Sequence, residues 1–321
     1  MVQISYTVTI GSTTYKPENS RLLQVKVNAS MHIPINHCVI ILSAPDLNLS
    51  PGVVMTVDLG YDGTTTRVFT GKVGPIAWGM DSVVITGESA MRGLTGCYLN
   101  RLFEKSSAGE IVKSITKTCA GFKVDRVESG LSFPGYSLGD RTSAWEHLET
   151  LSQQCGFDLY VNVQDQLVFA KYAAKTVHMG TYGKNILDWT FSQQPATIEG
   201  VQVYGESPAS QQGEQAYAWL TKAEVKGTSG KLSVQTLNRI DPTARTPDLA
   251  NKIAAARLAQ SPRLKSGKIK LLGLPEAKLG DGIKLSELPI AAQNGTFKIT
   301  AVTHHLSAQS GFYTNLEWEE I

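Results

Sequence analysis

One serine of the chain has neighbours similar to those of a hydrolase nucleophile, at Gly87-Glu-Ser89-Ala-Met91. A nucleophile elbow has the pattern G-x-S-x-G, because the serine must sit on a sharp strand-to-helix turn. Met91 stands where the second glycine is required, so the pattern is incomplete. The sequence therefore predicts no serine-dependent catalysis at Ser89.

Histidines are the next candidates for catalysis or metal binding. His304 and His305 are adjacent on a predicted strand, which directs their side chains to opposite faces of the sheet. His147 lies on a predicted helix, where no H-E-x-x-H pattern places a second imidazole beside it. We interpret His304 and His305 as core or solvated side chains and His147 as part of a polar helix surface. No catalytic or metal site is predicted.

Neither the glycines nor the charged clusters form a pattern typical of a ligand site. The sequence has no G-x-x-x-x-G-K-[ST] or G-x-G-x-x-G loop, so we expect no nucleotide cofactor. Glu319 and Glu320 are interpreted as surface charge near the C-terminus. The densest basic run could face a channel that carries DNA or cargo, but a solvated strand face is favoured. This run consists of Arg263, Lys265, Lys268 and Lys270.

The composition is that of a folded protein without strong net charge. The chain has 321 residues, of which 42% are hydrophobic and 18% charged, and its formal net charge is +2 at pH 7. The length favours about two domains, and the charge argues against dedicated nucleic-acid binding. The N-terminal MVQISYTVTI lacks a basic signal region, and no apolar stretch approaches about 18 residues. We expect assembly in the cytoplasm and no membrane anchor.

The four cysteines are widely spaced and include no C-x-x-C pair. Because no export signal is recognised, the sequence predicts that all four are reduced structural thiols. They are Cys38, Cys97, Cys119 and Cys155.

Residues 1–95 are predicted to form an antiparallel β domain. Apolar and polar residues alternate through several short runs, as in 6–10 and 23–27, which is typical of half-buried strands. Asp62-Gly63 predicts a two-residue hairpin, because a type I′ turn needs positive φ at both central residues.

Residues 96–180 are predicted to form a small α+β insert. Capping-box patterns at Ser107-Ala-Gly-Glu110 and Ser143-Ala-Trp-Glu146 predict two helices, the second ending at Gly156. A hairpin is predicted to follow over 157–163 and 167–169.

Residues 181–321 are predicted to form a second β domain. It includes a strand at 198–204, an exposed loop at 206–215 and an Asn294-Gly295 turn. Thr246-Pro-Asp starts a helix of about 247–261, with proline at its first position. Two β domains therefore flank one mixed insert.

Short motifs follow one another along the chain in a specific order. The first group is Tyr6-Thr-Val-Thr-Ile-Gly11, the run Gly52 to Tyr61, Val68-Phe-Thr-Gly-Lys-Val73 and Thr86-Gly-Glu-Ser-Ala90. The second is Gly139-Asp-Arg-Thr-Ser-Ala-Trp-Glu-His-Leu148 with Cys155-Gly-Phe157 and Leu167-Val-Phe169. The third is Leu279-Gly-Asp-Gly-Ile-Lys-Leu285, Gly295-Thr-Phe-Lys-Ile299, Val302-Thr-His-His-Leu306 and Gly311-Phe-Tyr-Thr-Asn-Leu316. In this order the motifs resemble the phage late control D hub family, which includes the hub portion of type VI secretion VgrG spike proteins.

The resemblance implies a mainly β fold in which two tube-like antiparallel β-barrel domains, 1–95 and 181–321, flank the mixed domain 96–180. It implies a structural, non-enzymatic hub without cofactors, assembled in the bacterial cytoplasm and built into a phage tail, virion baseplate or injection particle. Three chains would present six similar domains and so adapt a hexameric tail tube to a trimeric spike. Residues 206–245 match the family's pattern poorly.

The partners implied are further copies of the chain in a homotrimer, a spike protein, the tail tube or its initiator, and other baseplate proteins, with DNA or cargo passing through the lumen. Fused relatives continue into a spike, so we expect the spike here to be a separate polypeptide. The residues expected at the spike-docking face are Trp318, Glu319, Glu320 and Ile321.

Two alternatives remain open at this stage. One is a tail-tip cell-wall hydrolase, against which stands the missing catalytic constellation. The other is a hexameric tube-initiator or distal tail ring protein, which would not need an internal duplication or a helical insert.

Overall fold

The computed structural model describes residues 3–19, 21–43, 48–119, 121–195, 197–205, 225–261 and 265–321. The chain is mainly β, and most of its strands pair antiparallel. No helix within these ranges is long and apolar enough to cross a membrane. The exposed loop predicted at 206–215 and the basic side chain of Arg263 lie outside the described residues.

The described residues of the N-terminal region form seven strands. Asp62 and Gly63 connect two of them with φ values of 49° and 81°, so the predicted type I′ hairpin is confirmed. The strands are β1 (Ile4–Ile10), β2 (Thr13–Tyr15), β3 (Leu22–Ser30), β4 (His37–Leu42), β5 (Val54–Tyr61), β6 (Thr64–Trp78) and β7 (Val83–Glu88).

The middle region mixes helices and short strands. Both predicted capping boxes are present: Glu110 accepts from the backbone N–H of Ser107 at 2.8 Å, and Glu146 accepts from that of Ser143 at 2.7 Å. Gly156 ends the second of these helices with φ 69°. The elements are α1 (Arg92–Thr95), β8 (Arg101–Ser107), α2 (Ala108–Cys119), β9 (Val124–Val127), β10 (Ser132–Leu138), α3 (Ala144–Cys155), β11 (Asp158–Val161) and β12 (Leu167–Ala170).

The described residues of the C-terminal region return to strands and include one α-helix, which begins after the N-cap Thr246 with Pro247 in its first turn. The predicted Asn294-Gly295 turn is wrong. Asn294 is extended, and its side chain instead accepts a hydrogen bond from the backbone N–H of Leu288 at 3.0 Å. The elements are β13 (Val177–Thr181), β14 (Ile186–Gln193), β15 (Gly200–Gly205), β16 (Lys226–Gly230), β17 (Thr236–Asp241), α4 (Pro247–Ala259), β18 (Lys265–Leu272), β19 (Gly282–Ser286), β20 (Gly295–Ser307) and β21 (Gly311–Glu319).

One sheet of 13 strands joins the N-terminal and C-terminal regions. Its main path is β14-β18-β21-β20-β3-β4-β7-β6-β5-β1-β2, and β19 joins β13 to β20 off that path. The two regions meet where β3 pairs with β20, from Gln24 opposite Ser307 to Ser30 opposite Ala301. Three smaller sheets carry the remaining strands.

The buried side chains form three clusters. One lies within the N-terminal sheet and one within the C-terminal sheet. The third joins α2 and α3 to β15 and α4, through residues such as Ile111, Leu148, Val201 and Ile253. Residues 198–203 and 225–258, which the sequence assigns to the second β domain, thus contribute to the core of the mixed region.

Two of the four cysteines form a disulfide, Cys97–Cys119, with their Cα atoms 5.6 Å apart. It ties the end of α2 to the segment before β8. The prediction of four reduced thiols is therefore wrong for this pair, because the fold brings together two residues that are distant in the sequence. Cys38 and Cys155 are free.

Asp165, in the turn between β11 and β12, connects the middle region to the N-terminal sheet. Its carboxylate oxygens accept from the backbone N–H of Ala90 at 2.9 and 3.1 Å. Burial raises the pKa of Asp165 to about 6, while this hydrogen bond and the charge of Lys72 oppose the rise. The folded state therefore favours the protonated carboxyl, so the contribution of Asp165 to stability is full below pH 4 and is lost as the pH rises through about 6.

We expect Asp165→Asn to stabilise the protein by about 1–3 kcal/mol at pH 8 and to have little effect near pH 4. Asparagine keeps the acceptor for Ala90 and tolerates the positive φ of 60° at this position. Thermal unfolding of both proteins across this pH range measures the difference. An advantage of the same size at both pH values would assign it to something other than the charge.

Candidate assembly interface

The residues first considered for catalysis are placed in structural roles. Ser89 is buried, and its Oγ accepts from the backbone N–H of Asn36 at 3.1 Å. His304 is buried with Nδ1 3.0 Å from Thr314 Oγ1, and burial lowers its pKa to about 4. His305 lies on the opposite face and stacks on Tyr313. The prediction that the two histidines point apart is confirmed.

His147 is buried rather than on a polar helix surface, so that interpretation is wrong. Its ring lies edge-on to Tyr136, and burial lowers the pKa of the imidazole. The Cys155 thiol is also inert, because burial raises its pKa to about 11. Among the residues that the structure describes, no group of three or more His, Cys, Asp or Glu side chains could hold a metal ion.

The described part of the basic run forms a solvated strand face rather than a bare positive stripe. Lys268 pairs with Glu317 at 2.6 Å, and Lys265 lies 4.0 Å from Glu320. Lys270 lies over the ring of Tyr313, 4.0 Å from its centroid. The neighbouring strand β21 therefore balances much of this charge.

A cavity of about 480 Å³ lies where the three regions meet. His178 Nε2 and Asp281 Oδ2 form a buried contact of 2.9 Å on its wall. Tyr160 and Tyr172 also line it, and burial raises the pKa of both hydroxyls, so they stay protonated. The lining of this cavity therefore comes from all three regions.

The sheet contains two units with the same strand order. The N-terminal unit runs β3-β4-β7-β6-β5-β1, and the C-terminal unit runs β14-β18-β21-β20-β19-β13. When the six strands of each unit are ranked along the chain, strands of the same rank occupy the same place in the two strand orders. By this ranking β3 corresponds to β14, and β6 corresponds to β20. The two units differ in the direction of their final strand, because β1 pairs antiparallel with β5 whereas β13 pairs parallel with β19.

The two units also agree in register. The ladder between β3 and β4 skips one residue between Leu22 and Gln24, and the ladder between β14 and β18 skips one between Ile186 and Asp188. The irregularity in β6 begins after Val73, and that in β20 begins after the equivalent Ile299. Bulges re-aim the strand that carries them and are retained as specific features. Their coincidence indicates an internal duplication.

Equivalent positions carry the same residues at one cross-strand pair. Lys72 faces Glu88 between β6 and β7, and Lys298 faces Glu319 between β20 and β21. Elsewhere the cores have diverged. The position of Phe297 is occupied by Gly71 in the N-terminal unit, where a Cβ would lie 2.7 Å from the ring of Phe69. In the N-terminal unit, the ring of Phe69 thus fills the volume that Phe297 fills in the C-terminal unit.

One difference between the units lies at their edges. β20 pairs with β21 on one side and with β19 and then β3 on the other. On β6, Ile76 and Ala77 pair with β7 on one side, and no described strand pairs with their other side. Likewise β14, the counterpart of β3, pairs with β18 and with no other described strand.

The exposure of side chains follows this difference. On β20, covered by β3, His304 and Leu306 are 2% and 7% exposed. Their counterparts Trp78 and Met80 are 55% and 94% exposed. On β14 the inward-facing Trp189 and Phe191 are half-buried, whereas the equivalent valines of β3 are fully buried. These apolar edge residues were not singled out from the sequence. The signal that could have indicated them is the pair of large apolar residues in Trp78-Gly-Met80, at the tip of a hairpin.

The four residues expected at the spike-docking face do not share one environment. Trp318 is 2% exposed and packs against Phe297, so it supports the strand from within. Glu319 contacts Lys298 at 3.3 Å, and Glu320 faces Lys265. Ile321 is exposed. The surface at this end of the chain is therefore formed by Glu319, Glu320 and Ile321.

Solved structures of other proteins share this fold. A 43 kDa tail protein of prophage MuSo2 from Shewanella oneidensis aligns with a TM-score of 0.74 at 15% identity, over 98% of each chain. A tail protein from Neisseria meningitidis MC58 aligns at 0.73 and 14%, over 99% of this chain and 96% of its own. No family model and no curated protein matches the sequence.

A third structure, the E. coli c3393 protein, is described as a type VI secretion component with structural similarity to the T4 tail proteins gp27 and gp5. It aligns with a TM-score of 0.60 at 10% identity, over all of this chain and 77% of its own. The chain thus has the fold of these phage tail and type VI secretion proteins. The resemblance inferred from the sequence is confirmed at the level of the fold.

Proposed function

We propose that this protein is a structural, non-enzymatic baseplate hub: a homotrimeric adaptor that joins a hexameric tail tube to a trimeric spike. The observation that carries the proposal is the duplicated six-strand unit, whose strand order and two bulges repeat within one chain. Three such chains around an axis present six nearly equivalent units while keeping three-fold symmetry. One face can then match a six-fold tube and the other a three-fold spike.

In this proposal each six-strand unit is a tube-like antiparallel barrel domain and the middle region is a mixed domain between them. The first domain covers about 1–95 and the second lies within 181–321. The fold shared with phage tail proteins supports a structural role, as does the lack of a catalytic constellation among the described side chains. Assembly in the bacterial cytoplasm, followed by incorporation into a phage tail or injection particle, is part of the same proposal.

The test is the symmetry and mass of the purified protein, alone and with its candidate tube and spike proteins. We expect light scattering to give three chain masses and negative-stain images to show three-fold rings with a central hole. A six-fold ring of single chains would favour a tube-initiator or distal tail protein. A monomer that binds neither partner at any concentration would contradict the hub.

For the spike-docking face, we expect deletion of Glu320 and Ile321 to weaken spike binding while leaving the trimer folded. Both residues lie beyond the last strand, which ends at Glu319. The truncated trimer can be compared with the intact one by pull-down of the candidate spike and by thermal unfolding. As a control, Val234→Ala changes a fully exposed side chain in the β16–β17 loop. Unchanged spike binding after the deletion would move the docking face elsewhere.

A further inference from the structure

We infer that the disulfide between Cys97 and Cys119 is open while the chain is in the bacterial cytoplasm, and that it closes after release and stabilises the middle region of the chain. The inference rests on the proposed function only for the compartment in which the chain assembles. Closure of the bond and its effect on stability depend on the fold of a single chain.

A disulfide and assembly in the cytoplasm require different redox conditions. Disulfides persist in oxidising surroundings, whereas the thiols of cytoplasmic proteins are kept reduced. The structure joins Cys97 to Cys119, and the proposed hub assembles in the cytoplasm. Both hold for the same chain if the two thiols stay reduced during assembly and are oxidised after the particle leaves the cell.

Contacts that do not involve sulfur hold both cysteines in place. The Cys97 carbonyl accepts a hydrogen bond from the backbone N–H of Ala144 at 2.8 Å. Cys119 is the last residue of α2, where Thr116 is buried and its carbonyl accepts from Gly121 N–H at 3.0 Å. The reduced chain can therefore bring the two thiols together before the bond forms.

Cys97 and Cys119 are also partly exposed to solvent, so a small oxidant can reach them. The other two cysteines are less reactive, because the thiolate is the form that attacks a disulfide. Burial raises the pKa of the Cys38 thiol, and it raises the pKa of Cys155 to about 11. Cys38 and Cys155 are therefore expected to remain thiols after oxidation.

A small-molecule disulfide, such as oxidised glutathione, is the oxidant in this step. The thiolate of one cysteine attacks a sulfur of oxidised glutathione, which forms a mixed disulfide and releases one glutathione thiolate. The second cysteine thiolate attacks the protein sulfur of the mixed disulfide and releases the second glutathione. The protein loses two electrons and two protons, and two molecules of reduced glutathione carry them away.

The closed bond joins the end of α2 to the start of α3. Next to Cys97, Tyr98 forms a β-bridge with Ser143, the N-cap of α3. The two cysteines are 22 residues apart in the sequence, so the bond closes a loop that contains β8 and α2. Because a cross-link restricts the unfolded chain more than the folded one, we expect oxidation to stabilise the middle region.

Thiol trapping in bacteria that express the full chain tests the open state. Cells are quenched in acid, free thiols are blocked with N-ethylmaleimide in denaturant, and any disulfide is then reduced and labelled with a maleimide polymer. We expect no added polymer when cells are quenched directly, and two per chain when the lysate is first incubated with oxidised glutathione. Two polymers in directly quenched cells would overturn the inference, as would none after glutathione treatment.

The matched control is Cys155→Ser, which removes a thiol that the disulfide does not use. This variant should still gain two polymers per chain after incubation with oxidised glutathione. Cys97→Ser leaves Cys119 without its partner, so this variant should gain at most one, through a mixed disulfide with glutathione. A gain of two polymers by Cys97→Ser would assign the bond to a different pair of cysteines.

Thermal unfolding of the purified protein measures the stabilisation. From the length of the closed loop, we expect the oxidised protein to unfold about 5–10 °C above the reduced one. The double variant Cys97→Ser, Cys119→Ser should unfold at the same temperature with and without oxidised glutathione. A bond that forms without raising the unfolding temperature would contradict the stabilising role.

These readouts separate the inference from the proposed function, because thiol content and unfolding temperature are measured on the chain in any oligomeric state. A monomer that gains the bond and the rise in unfolding temperature would remove the hub and leave the inference. A three-fold ring whose Cys97 and Cys119 stay unbonded in oxidised glutathione would leave the hub and overturn the inference.

Discussion

Replacing Trp318 with alanine is expected to lower the free energy of unfolding by about 3–5 kcal/mol, the range for removing a large aromatic side chain from a core. The indole is 2% exposed, with its ring centroid 4.2 Å from that of Phe297 and 5.2 Å from that of Phe191. It covers Gly267 on the next strand, where a Cβ would lie 2.4 Å from the indole. The substitution would leave a cavity bordered by β14, β18 and β20, the strands that carry Phe191, Gly267 and Phe297.

Equilibrium unfolding in urea measures this loss, and Leu102→Ala provides the control because Leu102 is exposed on β8. We expect the control to change stability by less than about 0.5 kcal/mol. If Trp318→Ala left stability unchanged and abolished spike binding, the side chain would have a docking role that its burial argues against.

Lys298→Met is expected to lower the free energy of unfolding by about 3–5 kcal/mol at pH 7, the usual effect of breaking a buried ion pair from one side. The Lys298 ammonium lies 2.5 Å from Asp158 and 3.3 Å from Glu319. Its side chain is 9% exposed, and those of the two carboxylates are 16% and 21% exposed. Without the lysine, two poorly solvated negative charges repel each other.

The contact between Lys298 and Asp158 also joins β20 to β11, so the substitution removes a link between the C-terminal sheet and the mixed region. Adding Asp158→Asn to Lys298→Met should restore part of the stability, because it removes one of the two negative charges. Lys268→Met is the matched control, since its partner Glu317 is exposed, and we expect it to cost at most about 1 kcal/mol. Equal losses from the two substitutions would mean that burial does not set the strength of the Lys298 contacts.

Local signals in the sequence predicted most of the local structure, and the Asn294-Gly295 turn is the exception. Asp62-Gly63, the capping boxes and Gly156 each act through the backbone within a few residues, and each is found where the pattern placed it. Predictions that depended on distant partners fared worse. Cys97 and Cys119 are 22 residues apart in sequence, and the burial of His147 depends on Tyr136 from another element.

The duplication was hidden for a related reason. The two units preserve strand order and two bulges, which are properties of the backbone. Their cores differ, because a large side chain in one unit stands where the other unit has a glycine. Gly71 and Phe297 occupy equivalent places, as do Gly87 and Trp318. A search for repeated residues would find little beyond Lys72 with Lys298 and Glu88 with Glu319, whereas a comparison of strand ladders shows the repeat directly.

The chemical divergence of the two units has a consequence for any six-fold partner of the proposed trimer. Around such a ring, positions one, three and five would show the N-terminal surface, and positions two, four and six the C-terminal surface. Neighbouring surfaces would also meet at two kinds of junction, one within a chain and one between chains. Six identical tube subunits would therefore contact two alternating environments. The resistance of the ring to dissociation would alternate in the same way. Three junctions join units of one polypeptide, whereas the other three join separate chains and can dissociate.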